Sequence, residues 1–394
     1  MRLYLPALGL ATPLGCSKAA VAEGLFAGRR DGLVPSAELI PGRTVRVGTV
    51  RDRLPEVPAH LHRFATRNNR LALAAIEQVR EALLEAIDRY GAGRVAVVMG
   101  TSTSGIAEGE AALVERGRAG AWPAGFSYAL QEAGNLGDFV ATVLGTHGPA
   151  YTVTTACSSS GKVFAAARRL IAAGACDAAV VGGADSLARL TLNGFGALEA
   201  LARDYCNPFS RNRDGINIGE GAAVFLMTRE PAPVALLGCG ESSDAHHVSA
   251  PEPEGRGALR AMREAVADAG LRADEIEYVN LHGTATRLND PMEGRAVAAL
   301  FGDTIRCSST KSMTGHTLGA AGAVEAAFLW LALHPDHAGL LPPHLWDGDV
   351  DPEIPPLDLV PPGTRAAPRE RSAMLSNSFA FGGSNVAVIL GRGW

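Results

Sequence analysis

Apolar residues along the 394-residue chain fall into two alternating patterns. Continuous apolar runs bounded by glycine, at 94–100, 151–155, 177–182, 222–228, 234–238, 276–281 and 373–377, predict strands buried on both faces. Between them run segments of helical period, such as 71–90, where Ile76, Val79, Leu83 and Ile87 recur at three- and four-residue spacing. Residues 2–9 predict a buried first strand, and Thr12, Pro13, Leu14 and Gly15 the turn after it. The alternation predicts an α/β fold with helix-covered, largely parallel sheets.

The pattern also repeats. A helix, the strand 94–100 and Thr101-Ser102-Thr103 are echoed by a helix at 256–269, a strand at 277–281 and Gly283-Thr284-Ala285-Thr286. Gly219-Glu220-Gly221 launches one apolar strand as Gly382-Gly383 launches another. The shared order predicts two similar halves, 1–232 and 233–394, joined near Glu230, where Pro231 and Pro233 suit a linker.

Composition narrows the function. The chain is 47% hydrophobic and 20% charged with net charge −5, which describes a folded soluble protein and excludes disorder. Its 46 glycines and 23 prolines are scattered, so collagen-like and low-complexity organisation fail. Basic residues are spread along the chain without the stripe that phosphate neutralisation needs, so no nucleic acid partner is expected. Six cysteines without a close pair read as reduced cytoplasmic thiols. Leu14-Gly15-Cys16 resembles a lipoprotein cleavage site, but Pro6 breaks the apolar run, Arg2 is the one charge before it and Pro13 stands where an aliphatic residue is needed. No window reaches the length of a membrane span. The chain holds three lysines, Lys18, Lys162 and Lys311, and otherwise uses arginine.

One cysteine is placed for chemistry. Cys157 falls between the strand 151–155 and a helical run through Val163, Phe164, Ala167, Leu170 and Ile171. A helix N-terminus there favours a thiolate and can aim an amide at a developing oxyanion, and small hydroxyl neighbours leave the sulfur room. Cys16, Cys176, Cys206, Cys239 and Cys307 read as packing thiols. His282 ends a predicted strand, where α/β sites gather, and His316 lies in the small-residue stretch 311–322. His246-His247 lacks a third ligand and adjacent residues face apart, so no metal is expected. Nothing follows the Gly-x-Gly-x-x-Gly or Gly-Lys-Ser/Thr pattern, so no nucleotide cofactor is expected either.

Together these motifs resemble the elongating type I/II branch of the beta-ketoacyl-acyl-carrier-protein synthases. The likeness is carried in order by Gly9-Leu-Ala-Thr-Pro-Leu-Gly15, Thr155-Ala-Cys-Ser-Ser159, Asn207-Pro-Phe-Ser-Arg-Asn-Arg-Asp-Gly215, His282-Gly-Thr-Ala-Thr286, Lys311-Ser-Met-Thr-Gly-His316 and Asn377-Ser-Phe-Ala-Phe-Gly-Gly-Ser-Asn385. The resemblance implies a thiolase-like fold of two pseudo-repeated halves in five αβαβα layers, normally dimeric. It implies Cys157 as the nucleophile that takes an acyl group from its carrier, and His282 and His316 as the pair that promotes decarboxylation of a malonyl thioester. Lys311 is implied beside that pair, Glu293 as a buried acidic partner, and Phe381 as a gate whose amide joins that of Cys157 in an oxyanion hole. An acidic acyl carrier protein is the implied partner, with Arg63, Arg67 and Arg70 as its dock.

Relatives of other chemistry are distinguished by residues. A thiolase would need a late second cysteine, and initiating enzymes carry asparagine where His316 stands. Three departures stand out: Arg287 where proline is usual, a short loop at 202–207, and Ala380 for glycine, which leaves open whether gating is altered, because alanine tolerates positive φ poorly. With Leu190-Thr-Leu-Asn-Gly-Phe-Gly-Ala-Leu198 they are similar to synthases of aryl polyene pathways, which can work beside a chain-length-factor subunit, so the chain is expected to form a homodimer or such a heterodimer. The departures leave open a non-catalytic, cavity-shaping subunit as the alternative.

Overall fold

Two rows of five strands share one spatial order. The computed structural model describes residues 2–337, 339–367 and 369–394. In chain order the strands are β1 (Leu3–Ala11), β2 (Leu33–Ile40), β3 (Arg43–Gly48), β4 (Val95–Gly100), β5 (Ala150–Val153), β6 (Ala178–Asp185), β7 (Ile218–Gly219), β8 (Gly221–Thr228), β9 (Val234–Ser243), β10 (Ile276–Asn280), β11 (Arg306–Ser308), β12 (Asp358–Leu359), β13 (Ser372–Ala380) and β14 (Ser384–Arg392). The first row runs β5-β4-β6-β8-β1 and the second β11-β10-β13-β14-β9, with β12 outside β11. They join where β1 meets β9, through Leu3 with Leu236 and Tyr4 with Ala235. A separate sheet, β2-β3-β7, lies apart.

The helices are α1 (Lys18–Phe26), α2 (Arg67–Glu77), α3 (Arg80–Tyr90), α4 (Ile106–Ala119), α5 (Asn135–Leu144), α6 (Ser159–Ala172), α7 (Arg189–Ala197), α8 (Arg256–Ala269), α9 (Asn289–Phe301), α10 (Lys311–Thr314) and α11 (Ala321–Leu333). Their packing makes the thiolase-like arrangement of layers. Phe164 of α6 and Phe328 of α11 share a central core with Val98 and Phe225 of the first row and Met374 and Val388 of the second. On the outer faces, α2 and α5 cover the first row through Leu71 and Phe139, and α8 and α9 cover the second through Met262 and Val297. Every residue of α11 is buried, which explains a helix apolar all round.

Three expectations need correction. The rows are mixed: β4 pairs in parallel with β5 and β6, and β10 with β11 and β13, whereas β8 and β14 are antiparallel to both neighbours. Helix cover on both faces produces the same continuous apolar run in either direction, so periodicity could not separate them. β5 is a sheet edge with Tyr151 partly exposed, not a doubly buried strand. The single helix 71–90 is two helices, because the Gln78 amide turns away to bond the backbone N–H and C=O of Leu10 on β1 at 3.4 and 2.8 Å, and Val79 leaves helical geometry at φ −128° and ψ 12°.

The first turns of α6 and α11 meet at two glycines. A Cβ on Gly322 would lie 2.5 Å from the Gly161 nitrogen and 2.7 Å from its Cα. Beside this contact the Ala323 amide donates to Ser160 Oγ at 2.8 Å. Gly322→Ala should therefore lower stability by about 1–3 kcal/mol through overpacking. The check is the urea midpoint of unfolding, and an unchanged midpoint would contradict this contact.

Candidate active site

Cys157 follows β5 on a turn locked by hydroxyls. Thr155 N donates to Ser159 Oγ at 2.9 Å, Ser159 Oγ to Ala156 O at 2.6 Å, and Ser158 Oγ to Thr155 O at 2.8 Å. The small residues around the sulfur thus hold the backbone as well as leave space. They sustain Ala156 at φ 52°, a left-handed conformation that costs a non-glycine residue about 1–3 kcal/mol. The turn aims the Cys157 sulfur at His316 Nε2, 2.9 Å away.

His316 hangs between two anchors. Gly315 turns the chain at φ 70°, and a Cβ there would come within 2.9 Å of the Gly219 nitrogen. The His316 amide donates to Asn217 O at 2.7 Å, and its carbonyl accepts from Gly219 N at 2.9 Å. His282 follows β10; its amide and that of Gly283 each donate to a Glu293 oxygen at 2.7 Å. The His282 and His316 rings stand 5.3 Å apart at 85°. Their ligating atoms and the sulfur all lie within 4.8 Å of one another.

Lys311 and Phe381 complete the surroundings. Lys311 is buried and paired with buried Glu325 of α11. The backbone amides of Phe381 and of Cys157 itself act on the sulfur in the sense that favours its charged form. The Phe381 ring is partly exposed and stacks on Phe195 at 5.3 Å. Ala380 is extended at φ −105°, and the left-handed turns fall on Gly382 and Gly383 at φ 78° and 72°. Alanine at 380 is therefore unstrained, and the positive-φ reason for altered gating does not arise there.

Electrostatics keep the resting site uncharged at its centre. Burial pushes the Cys157 thiol up to about 12, against the opposing pull of Lys311 and the two amides. Burial, reinforced by Lys311, holds both His282 and His316 well below the ordinary imidazole value. Burial thus opposes the thiolate that a helix N-terminus would favour, and α6 begins two residues beyond Cys157.

The three residues could in principle ligate a metal. Their surroundings argue against it. Neither histidine has a partner for Nδ1 among the described residues, whereas metal-bound imidazoles are normally oriented by one, and the Lys311 ammonium stands nearby.

The arginine cluster divides. Arg67 is ion-paired to buried Glu220 and donates to Val50 O at 3.2 Å. Arg70 binds the carbonyls of Pro55 and Leu54 at 3.0 and 3.1 Å and Glu56 at 2.7 Å. Arg63 rests on the Phe64 ring and has no ion pair among the described residues. Sequence separation hid these acceptors.

Three residues were missed. Glu325 is the one charge in the otherwise apolar α11, a signal that was available. Buried Asp185 ends β6, behind the site. His344 is a third buried histidine: Nδ1 accepts from Ser309 N at 3.0 Å and Nε2 lies 3.0 Å from Pro208 O.

A cavity of about 410 Å³ opens over Cys157, His282 and His316, with Phe195, Leu198, Ile216 and Phe379 among its apolar walls and Arg287 and Leu288 at its border. Cysteine and two neutral histidines at the carboxyl ends of the strand rows, beneath an apolar cavity, define an acyl-transferring, condensing type of site. Residues 26–232 match the beta-ketoacyl synthase N-terminal domain and 234–345 the beta-ketoacyl synthase C-terminal domain; the chain belongs to the beta-ketoacyl synthase family.

Among its relatives is the 3-oxoacyl-acyl-carrier-protein synthase 2 of Rhizobium meliloti (strain 1021), 41% identical over 62% of this chain and 61% of that protein. The synthase 2 of Synechocystis sp. (strain ATCC 27184 / PCC 6803 / Kazusa) is 31% identical over 98% of this chain and 97% of its own length. Among solved structures, the ketosynthase ApeO in complex with its chain length factor ApeC, from Xenorhabdus doucetiae, is 44% identical, with a TM-score of 0.94 over 99% of this chain and 98% of that one.

Burial gives His344 a measurable signature. Its pKa is lowered to about 4, so the folded chain keeps it neutral while the unfolded chain protonates it near 6.5. The stability it contributes is complete above about pH 6.5 and is lost as pH falls toward 4, amounting to about 3 kcal/mol. His344→Gln should flatten the pH dependence of the unfolding free energy across that window, measured in parallel with the unsubstituted chain. An identical slope would count against neutral burial of His344.

Proposed function

We propose that the chain is a 3-oxoacyl-carrier-protein synthase that forms a carbon–carbon bond by decarboxylative condensation in the assembly of an unsaturated, polyene-type chain. The 2.9 Å contact between Cys157 Sγ and His316 Nε2, with His282 beside it, carries this reading. The Cys157 sulfur attacks the carbonyl of an acyl thioester while its proton passes to His316. The amides of Cys157 and Phe381 receive the oxyanion, and the carrier thiol leaves with the proton.

A malonyl thioester then occupies the cavity. Neutral His282 and His316 donate hydrogen bonds to its thioester oxygen as carbon dioxide departs and enolate charge builds, with the Lys311 ammonium nearby. The carbanion attacks the acyl carbonyl on Cys157, the C–S bond breaks with the sulfur leaving as thiolate, a proton from solvent restores the Cys157 thiol, and the 3-oxoacyl-carrier product leaves. Glu293 contributes by holding the His282-Gly283 turn.

Family relationship and departures at Arg287 and 190–198 support the polyene assignment. A carrier protein bearing acyl and malonyl groups is the partner, docking through Arg63 with lesser contributions from Arg67 and Arg70. The chain works in the cytoplasm as a dimer, either with its own copy or with a chain-length-factor-like subunit, of which it is the member carrying Cys157. No described helix is long and apolar enough to cross a membrane. Residues 1–232 and 233–394 form its two halves. Of the two departures behind the cavity-shaping alternative, Ala380 is unstrained and Arg287 remains.

Cys157→Ala should abolish both acyl-enzyme formation, read by intact mass after incubation with acyl-carrier, and condensation with malonyl-carrier. Undiminished condensation would sink the proposal.

A further inference from the structure

Six hydrogen-bond donors converge on a carboxylate that the chemistry above leaves unused. Asp185, at the end of β6, is fully buried. It accepts from the hydroxyls of Thr101, Ser102 and Thr103 at 2.7–2.8 Å, from the amides of Ser102 and Thr103, and from the amide of Ala320 at 3.2 Å. Thr101, Ser102 and Thr103 continue β4, whereas Ala320 belongs to the turn between His316 and α11. Ser102 Oγ binds that turn a second time, accepting from Gly319 N at 3.2 Å. The contact is close: a Cβ on Gly319 would lie 2.7 Å from Asp185 Oδ2.

The anchoring matters because no side chain among the described residues orients the histidine ring through Nδ1. His316 Nδ1 has no hydrogen-bond partner among the described residues, so the ring takes its position against Cys157 from its backbone and its packing. That backbone is fixed at His316 itself by Asn217 and Gly219, and downstream by Asp185 and Ser102. The carboxylate also acts on the nucleophile directly, its negative charge opposing Lys311 at the Cys157 sulfur.

We propose that Asp185 is a positioning residue for acyl transfer: by pinning the 318–320 turn to the 101–103 segment, it holds the His316 ring at Cys157. The inference rests on the condensing roles assigned above to Cys157 and His316. Each contact on Asp185 is a donor, so an asparagine amide would turn its N–H₂ toward other donors, which makes the carboxylate itself testable.

Asp185→Asn in the full chain should slow acylation of Cys157 by acyl-carrier at least tenfold in kcat while KM stays within twofold. Its pH profile of Cys157 alkylation by iodoacetamide should move to lower pH, because the opposing charge is gone. Ser102→Ala keeps the carboxylate and its charge but loses the hydroxyl that donates to Asp185 and accepts from Gly319 N; it should slow acylation a few-fold without moving the alkylation profile. Acylation at the unsubstituted rate in Asp185→Asn, or a loss confined to thermal stability, overturns the proposal. Should Asp185→Asn fail to fold, unchanged acylation in Ser102→Ala overturns it. Condensation by Cys157→Ala would instead defeat the underlying reading of the site.

Discussion

The contact between Gly161 and Gly322 sets the geometry on which the rest of the protein depends. α6 carries the chain on from Cys157, and α11 carries it on from His316. Two helices that touch backbone to backbone at their first turns bring the preceding residues of both halves to one place. Larger side chains there would separate the helices by ångströms, and a sulfur–imidazole contact of 2.9 Å tolerates no such separation. The apolar character of α11 follows from the same constraint, since a helix packed against both strand rows has no polar face to offer.

Burial deep enough to protect a reactive acyl thioester brings an electrostatic cost. At this site the cost is contained by keeping the reacting groups neutral and confining charge to flanking positions that are bonded. Lys311 is paired with Glu325, and Asp185 is enclosed by donors. The two charges act on Cys157 in opposite senses, Lys311 favouring the thiolate and Asp185 the thiol. With both members of the Cys157–His316 pair neutral, the attack proposed above moves one proton between them and brings no charge from solvent.

How much of this was legible depended on whether a residue's role is local. Strand cores at 94–100, 222–228 and 276–281 were readable because burial imposes an apolar run, and Cys157 because a cysteine between strand and helix is a local pattern. Strand direction was not readable, since a run covered on both faces looks alike in parallel and antiparallel neighbours. The break at Gln78 was hidden because its cause, the backbone of Leu10, is 68 residues away. Arg67 looked like a surface cation for the same reason: Glu220, its partner, is 153 residues distant. Glu325 was visible as a lone acid in an apolar helix, but its meaning required Lys311 in the neighbouring layer.

The repeated strand order also explains how the two halves divide their labour. β4 corresponds in position to β10, and β6 to β13. Beyond β10 and β13 stand His282 and Phe381, whose ring and amide face the cavity. Beyond β4 and at the end of β6 stand Thr101 and Asp185, which face inward and bind each other at 2.7 Å. The ends of β10 and β13 thus carry residues that line the cavity, whereas the ends of β4 and β6 close on each other. Such a division suits a site with a single cavity: with one pair of sheet ends facing the ligand, the other pair is free to hold the nucleophile's partner in place. The duplicated architecture supplies both sets of positions, and the side chains at four strand ends decide which set does chemistry.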